Sequence, residues 1–257
     1  MNRYELKKTI SKVLLIIPIV IIRFFRQIFF GTTTSISVYE YFFGRVFGIP
    51  AMRAETQYLQ VIESMLEVVI FVIMFGNYIY SFFQDYNIYV IIRENNIKKW
   101  YKNVVIQLLM CCIAYIGIFF AITYCMCIAN CDKPLTIKDI ILPLASFILV
   151  VLFTYDLAML VNILALKFKQ IQSFMIAFVG VALLTIWVVN FEKVPLVSNM
   201  KILLWLNPIE NMQLSWNLNP IRTILSIVYY IMLSIMITIC GEYLYIKSDM
   251  GMAGADE

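Results

Sequence analysis

Histidine is absent from this chain, and charge is scarce. Without histidine there is no histidine-dependent catalytic triad, no general acid–base imidazole and no mixed histidine–cysteine zinc site. The six cysteines, Cys111, Cys112, Cys125, Cys127, Cys131 and Cys240, have the spacing of neither a zinc site nor a disulfide framework. They read as small apolar helix residues, with Cys131 alone in a short loop. No stretch fits G-x-x-x-x-G-K-[ST], which excludes ATP hydrolysis by this chain in the P-loop manner. Only 14% of residues are charged, against 62% hydrophobic, and mean hydropathy is +0.86. A globular surface of that composition would not stay in water. A cleaved signal peptide is not expected either, since the first apolar run carries Arg23 and Arg26 and no small-residue cleavage site follows it.

What fills the chain is apolar sequence. Six runs, Val13–Phe30, Leu59–Phe83, Val104–Ala129, Ile140–Leu166, Ile171–Asn190 and Ile224–Ile246, approach or exceed the roughly 20 residues that cross a bilayer as a helix. A β-barrel would instead show alternating segments of about 10 residues. The expectation is an all-α polytopic membrane protein, a single six-helix domain over residues 1–249 with an unstructured tail over 250–257. The spans consume most of the 257 residues and leave no room for a soluble catalytic domain.

Basic residues give the orientation, because short loops rich in Lys and Arg stay in the cytoplasm. With the N-terminus inside, 11 basic residues fall on inner segments: Arg3, Lys7, Lys8, Lys12, Arg93, Lys98, Lys99, Lys102, Lys167, Lys169 and Lys247. Seven fall on the longer outer segments: Arg45, Arg53, Lys133, Lys138, Lys193, Lys201 and Arg222. Both termini are therefore expected in the cytoplasm. The outer segment Gly31–Tyr58 carries breakers, among them Gly44, Gly48 and Pro50, that discourage a continuous helix. The outer segment Phe191–Ile221 holds Pro195, Pro208 and Pro220 around an apolar stretch, Ile202–Leu206, that is too short to span and suits a re-entrant or interfacial element.

Charges inside apolar runs are costly and are usually paired or functional. Arg23 and Arg26 lie one turn apart in the first run, Glu63 and Glu67 one turn apart in the second. In antiparallel neighbours Arg23 meets Glu67 and Arg26 meets Glu63, so a double salt bridge is expected; otherwise an acid of that pair faces a pathway and attracts a cationic substrate. Asp156 stands alone, deep in the fourth run. It either accepts hydrogen bonds from a neighbouring helix or lines a polar cavity. Glu242, near the end of the sixth run, is expected to be solvated.

Between the second and third runs, Asp85–Lys102 reads as a short amphipathic helix along the inner surface, its apolar residues 88–92 in the interface and its cations in water. Four features together resemble the membrane subunits of ABC transporters of the type-2 permease family, especially small bacterial peptide-export and bacteriocin-immunity permeases. They are the lysine-bearing start Tyr4–Lys8, the string Tyr89–Arg93 followed by Lys98–Trp100, the Leu206–Pro208 stretch, and the ending Tyr245–Asp249. The resemblance implies that the inner segment is a coupling helix docking onto an ATPase subunit through Asp85, Tyr86, Tyr89, Arg93, Glu94, Lys98, Lys99 and Trp100. It also implies two permease copies, a homodimer or a pair of sister subunits, with two ATPases that hold ATP and magnesium, and an outer segment capping the exit.

From that resemblance the chain itself is expected to be no enzyme and to bind no cofactor, metal or nucleic acid. It would sit in a bacterial plasma membrane and export a hydrophobic or amphipathic peptide, such as a bacteriocin or signalling peptide, by alternating access. Asp156 is the pathway candidate. A stand-alone immunity or sensor protein that binds a toxic peptide shares every feature above. A membrane-embedded enzyme fits less well, because a zinc-type protease needs histidine and the aspartic type needs a second intramembrane aspartate beside Asp156.

Overall fold

The computed structural model describes residues 3–18, 20–21, 37–46, 54–84, 97–131, 134–191, 205–212 and 220–253. All regular structure among them is helical: α1 (Arg3–Leu14), α2 (Val38–Val46), α3 (Ala54–Phe75), α4 (Ile97–Ala129), α5 (Ile137–Ala165), α6 (Gln170–Phe191), α7 (Pro208–Met212) and α8 (Pro220–Ala253). Five segments are long and apolar enough to cross a bilayer: Ser64–Gln84, Ile97–Ala129, Ile137–Ala165, Gln170–Asn190 and Ile221–Lys247. The chain is thus a multi-pass helical membrane protein. Of the first apolar run, the structure describes a shorter apolar helix, Thr9–Pro18; residues 22–30 lie outside the described set.

Helix α5 is the hub. It packs against α3, α4, α6 and α8, and 67% of its most apolar window is buried, against 22% for α6 and for α8. Its sequence fits the position, since Ser146, Thr154, Asp156 and Asn162 are buried along it and polar side chains inside a membrane turn toward the bundle interior. The outer faces of α6 and α8 carry the exposed apolar side chains, among them Met175, Val179, Leu183, Val228, Met232 and Ile235, as lipid contact requires.

Within a bilayer each backbone group needs an internal partner, so irregularities must be repaired by side chains. The start of α5 shows the rule. Thr136 donates through its backbone N–H (2.7 Å) and its hydroxyl (2.5 Å) to Asp139, whose other carboxylate oxygen accepts the Tyr39 N–H of α2 at 2.7 Å. Pro143 cannot donate to the Asp139 carbonyl four residues back; the Tyr124 hydroxyl of α4 donates there instead, at 3.0 Å.

Several sequence expectations gain detail here. Residues 38–46 form a helix within the segment expected to be broken, because Val38, Phe42 and Phe43 are buried on the α4–α5 hairpin, with Phe42 5.3 Å from the Phe120 ring. The second run is not one unbroken helix but is interrupted at Gly76–Asn77. A Cβ on Gly76 would come within 2.8 Å of the Phe174 ring and 3.1 Å of Val161, so glycine is what lets α5 and α6 close on this point. Of the expected stretch Ile202–Leu206, residues 202–204 lie outside the described set; Trp205 and Leu206 are exposed, while Asn207 and Ile209–Met212 beside them are buried in the bundle. Finally, α8 continues to Ala253 into the expected tail, since Met and Ala favour helix strongly enough to carry Gly251.

Candidate functional site: a polar seam between the central and last helices

Read at intervals of four, the last helix carries Arg222, Ser226, Tyr230, Ser234, Thr238 and Glu242. Residues four apart share a helix face, so one stripe of α8 is polar along its length. Five members have partners on α5, α7 or α4. Arg222 forms an ion pair with Glu210, and its guanidinium lies 5.9 Å from the Trp205 ring. Ser226 donates to Asn211 at 2.8 Å, and the Tyr230 hydroxyl donates to the Pro208 carbonyl. Ser234 donates to the Asp156 carboxylate at 2.6 Å. Thr238 and Tyr155 share a hydroxyl–hydroxyl bond of 2.7 Å, and the Thr238 carbonyl accepts from Tyr101 at 3.1 Å. Two turns further along α8, Tyr245 donates to the Asn162 carbonyl at 3.1 Å.

Asp156 lies at the middle of this seam. It is 4% exposed, accepts only from Ser234, and its second oxygen has no partner among the described residues. Cys112 of α4, Tyr155 beside it, and Tyr229 and Tyr230 of α8 lie within electrostatic reach. Of the two readings left open by the sequence, the helix-bonding one is satisfied on one oxygen only.

The Arg222 end of the seam is covered by α7. Asn207 caps this short helix by accepting the Ile209 N–H at 2.9 Å and reaches down to donate to the Leu184 carbonyl of α6, also at 2.9 Å. Tyr229 donates to the Leu206 carbonyl at 3.0 Å. The segment is therefore held mainly by polar side chains of α8 and its own asparagines. Burial pushes the Glu210 carboxyl above the usual glutamate range, against the lowering effect of Arg222.

A second polar locus surrounds the break in α3. Asn162 accepts the N–H groups of Ile79 (2.8 Å) and Tyr80 (3.1 Å), which begin the helical stretch after the break, and donates to the Ala158 carbonyl at 2.8 Å. On the other side, the Lys12 ammonium donates to the Met74 carbonyl at 2.9 Å and sits 5.3 Å from the Phe75 ring. At about 1.5 Å per residue, Met74 lies roughly 15 Å along the helix from Gln84, the end of that span. Lys12 thus works inside the bundle, not in the inner polar segment where its charge counted toward orientation. A cation at the C-terminal end of a helix segment complements the dipole of the freed carbonyls.

The other expected site residues divide sharply. Arg23, Arg26 and the side chain of Glu63 lie outside the described residues; Glu67 is 2% exposed on α3, within reach of Tyr115. Asp85, Tyr86, Tyr89, Arg93 and Glu94 also lie outside. Lys98, Lys99 and Trp100 open the long helix α4, the two lysines exposed and Trp100 packed 6.0 Å from the Phe83 ring. Phe83 and Tyr101 in turn meet Tyr245, at 5.2 and 5.5 Å. An aromatic cluster therefore ties α4 to the end of the second span and to α8. The polar stripe on α8 was not singled out from sequence, although its four-residue period is visible there; an apolar run scored only for length hides it.

Compared with protein-family models, with curated proteins and with solved structures, the chain matches none.

Proposed function

We propose that this chain is the membrane-spanning permease subunit of an ATP-driven exporter, moving a hydrophobic or amphipathic peptide with a separate ATPase. The observation that carries this reading is the α5–α8 seam. Polar residues inside a membrane bundle are expensive and usually mark a pathway, and a protein that had only to anchor itself would gain more from apolar packing. Here the last helix holds the central one through single hydroxyl bonds in series. Each is individually weak, with intramembrane hydrogen bonds averaging about 0.6 kcal/mol, so the interface can part and expose a polar surface.

In this proposal the first apolar run supplies a sixth span and both termini are cytoplasmic. Asp85–Lys102 includes the coupling helix, with Lys98–Trp100 at its junction to α4. Two permease copies face two ATPases, and Asn207–Met212 closes the outer end of the path as a re-entrant cap. ATP binding and hydrolysis in the partner would drive the opening of the seam.

The test is a pull-down of the tagged, detergent-solubilised protein from its native host, beside an Arg93→Ala/Trp100→Ala variant, followed by an ATPase assay. The proposal expects a P-loop ATPase with the wild type and its loss from the variant. Recovery of the folded chain alone, without nucleotide turnover, would turn the assignment to a stand-alone immunity or sensor protein.

A further inference from the structure

A carboxyl group in the interior of a membrane bundle must be paired with a cation, coordinated to a metal, or neutral. Pairing is not what surrounds Asp156. Its recorded hydrogen bond is from the Ser234 hydroxyl, and no lysine or arginine among the described residues approaches it. The titratable groups within electrostatic reach are a thiol and phenols, Cys112 of α4, Tyr229 and Tyr230 of α8 and Tyr155 of its own helix, whose own hydrogen bonds go to the Val151, Leu206 and Pro208 carbonyls and to Thr238. Of the acids on the packed elements, Glu40 of α2 accepts from Ser37, Glu67 of α3 acts on Tyr115, Glu210 of α7 pairs with Arg222 and Glu242 of α8 acts on Tyr101, while α6 carries no titratable side chain. Lys12, a cation inside the bundle among the described residues, donates to the Met74 carbonyl.

Metal coordination fails as well. Hard cations take six or more oxygen ligands, whereas the Asp156 carboxylate has a single hydrogen-bond partner, the Ser234 hydroxyl, and no group of three or more metal-binding side chains occurs among the described residues. Neutrality remains. Leaving a neutral carboxyl oxygen without a partner costs far less than burying an unpaired anion.

We propose that Asp156 is a proton-binding site of the bundle interior, keeping its carboxyl neutral while α5 and α8 are closed and exchanging the proton with water when they part. The proton binds one carboxylate oxygen and comes from, and returns to, bulk water; no other bond changes. Opening of the seam therefore carries a proton-exchange step of its own, and this holds whether or not an ATPase drives it.

Infrared spectroscopy of the full chain in lipid nanodiscs tests the site, using the carbonyl stretch of a protonated carboxyl, with aspartates isotope-labelled to separate them from glutamates. At neutral pH the wild type is expected to show a labelled band that Asp156→Asn removes and that Glu67→Gln and Glu210→Gln leave in place. Ser234→Ala, which deletes the hydrogen bond to the carboxyl, is expected to shift the band without abolishing it. The wild-type spectrum alone decides the case should Asp156→Asn not fold. No labelled protonated-carboxyl band at neutral pH would overturn the proposal. So would a band that disappears when a cationic peptide is added, which would make Asp156 a counter-ion for substrate.

Discussion

Replacing Asn162 by leucine isolates the repair of the broken helix. Leucine keeps the branching of asparagine, so no cavity opens, but it accepts no hydrogen bond, and its larger methyl groups add some overpacking to the loss. The variant strands the N–H groups of Ile79 and Tyr80, now held at 2.8 and 3.1 Å. A buried donor left unpaired costs about 1–3 kcal/mol, while hydrogen bonds in membrane bundles average about 0.6 kcal/mol. Two bonds therefore bracket a loss between about 1 and 6 kcal/mol, and some relaxation of the Gly76–Asn77 turn argues for about 2–3 kcal/mol. Reversible unfolding in mixed micelles by added SDS would measure it. Amide hydrogen exchange at positions 79 and 80 should quicken by roughly tenfold or more, the equivalent of about 1.4 kcal/mol, while exchange in the middle of α5 changes less. A stability change below about 0.5 kcal/mol with unchanged exchange at both amides would refute the claim that Asn162 supports the break.

Gly241→Ala places a methyl group 2.2 Å from the present position of the Tyr101 hydroxyl; it is expected to cost about 1–3 kcal/mol by overpacking, and Tyr101→Phe in the same chain should restore most of the loss in the same unfolding assay. Glu210 gives a pH signature. Burial raises its folded-state carboxyl above the ordinary glutamate value of 4.5, so the folded state favours the protonated form. That contribution to stability is present below 4.5 and is lost as pH rises through the raised value; Glu210→Gln should flatten this fall in a pH series of melting temperatures. In the charge exchange between the first two runs, Arg26→Glu and Glu63→Arg are each expected to abolish folding, and the double variant to restore it. Failure of the double variant would remove the ion-pair idea.

Much of the fold was legible because the bilayer imposes a length on apolar helices. Five of the six apolar runs correspond to the described spans, and their ends moved by only a few residues in most cases. The break at Gly76–Asn77 was hidden because its cause is tertiary. Gly76 matters through Phe174 and Val161, nearly 100 residues on, and Asn162 matters through amides more than 80 positions earlier. Asp156 was visible as a lone acid, but its partner Ser234 could not be picked from among the hydroxyls of α8 without knowing which face meets α5. Lys12 illustrates the opposite error. Its position in a lysine-bearing start suggested an inner polar segment, whereas a four-carbon stem lets the ammonium reach a carbonyl inside the bundle. The buried polar residues of α7 were missed because only the apolar stretch before them was weighed, and here asparagine caps and an Arg–Glu pair let polar residues pack into the bundle.

The central claim is that the α5–α8 seam opens to water during a transport cycle. It is tested most directly by single cysteines at Ser234 and Thr238 in a background lacking the six native cysteines, probed in native membranes with a water-soluble thiol reagent, with and without ATP. The account predicts that both positions label in at least one nucleotide condition, while cysteines at the lipid-facing positions Ile235 and Met236 stay unlabelled throughout. Protection of Ser234 and Thr238 under every condition, in protein that retains its partners, would contradict it.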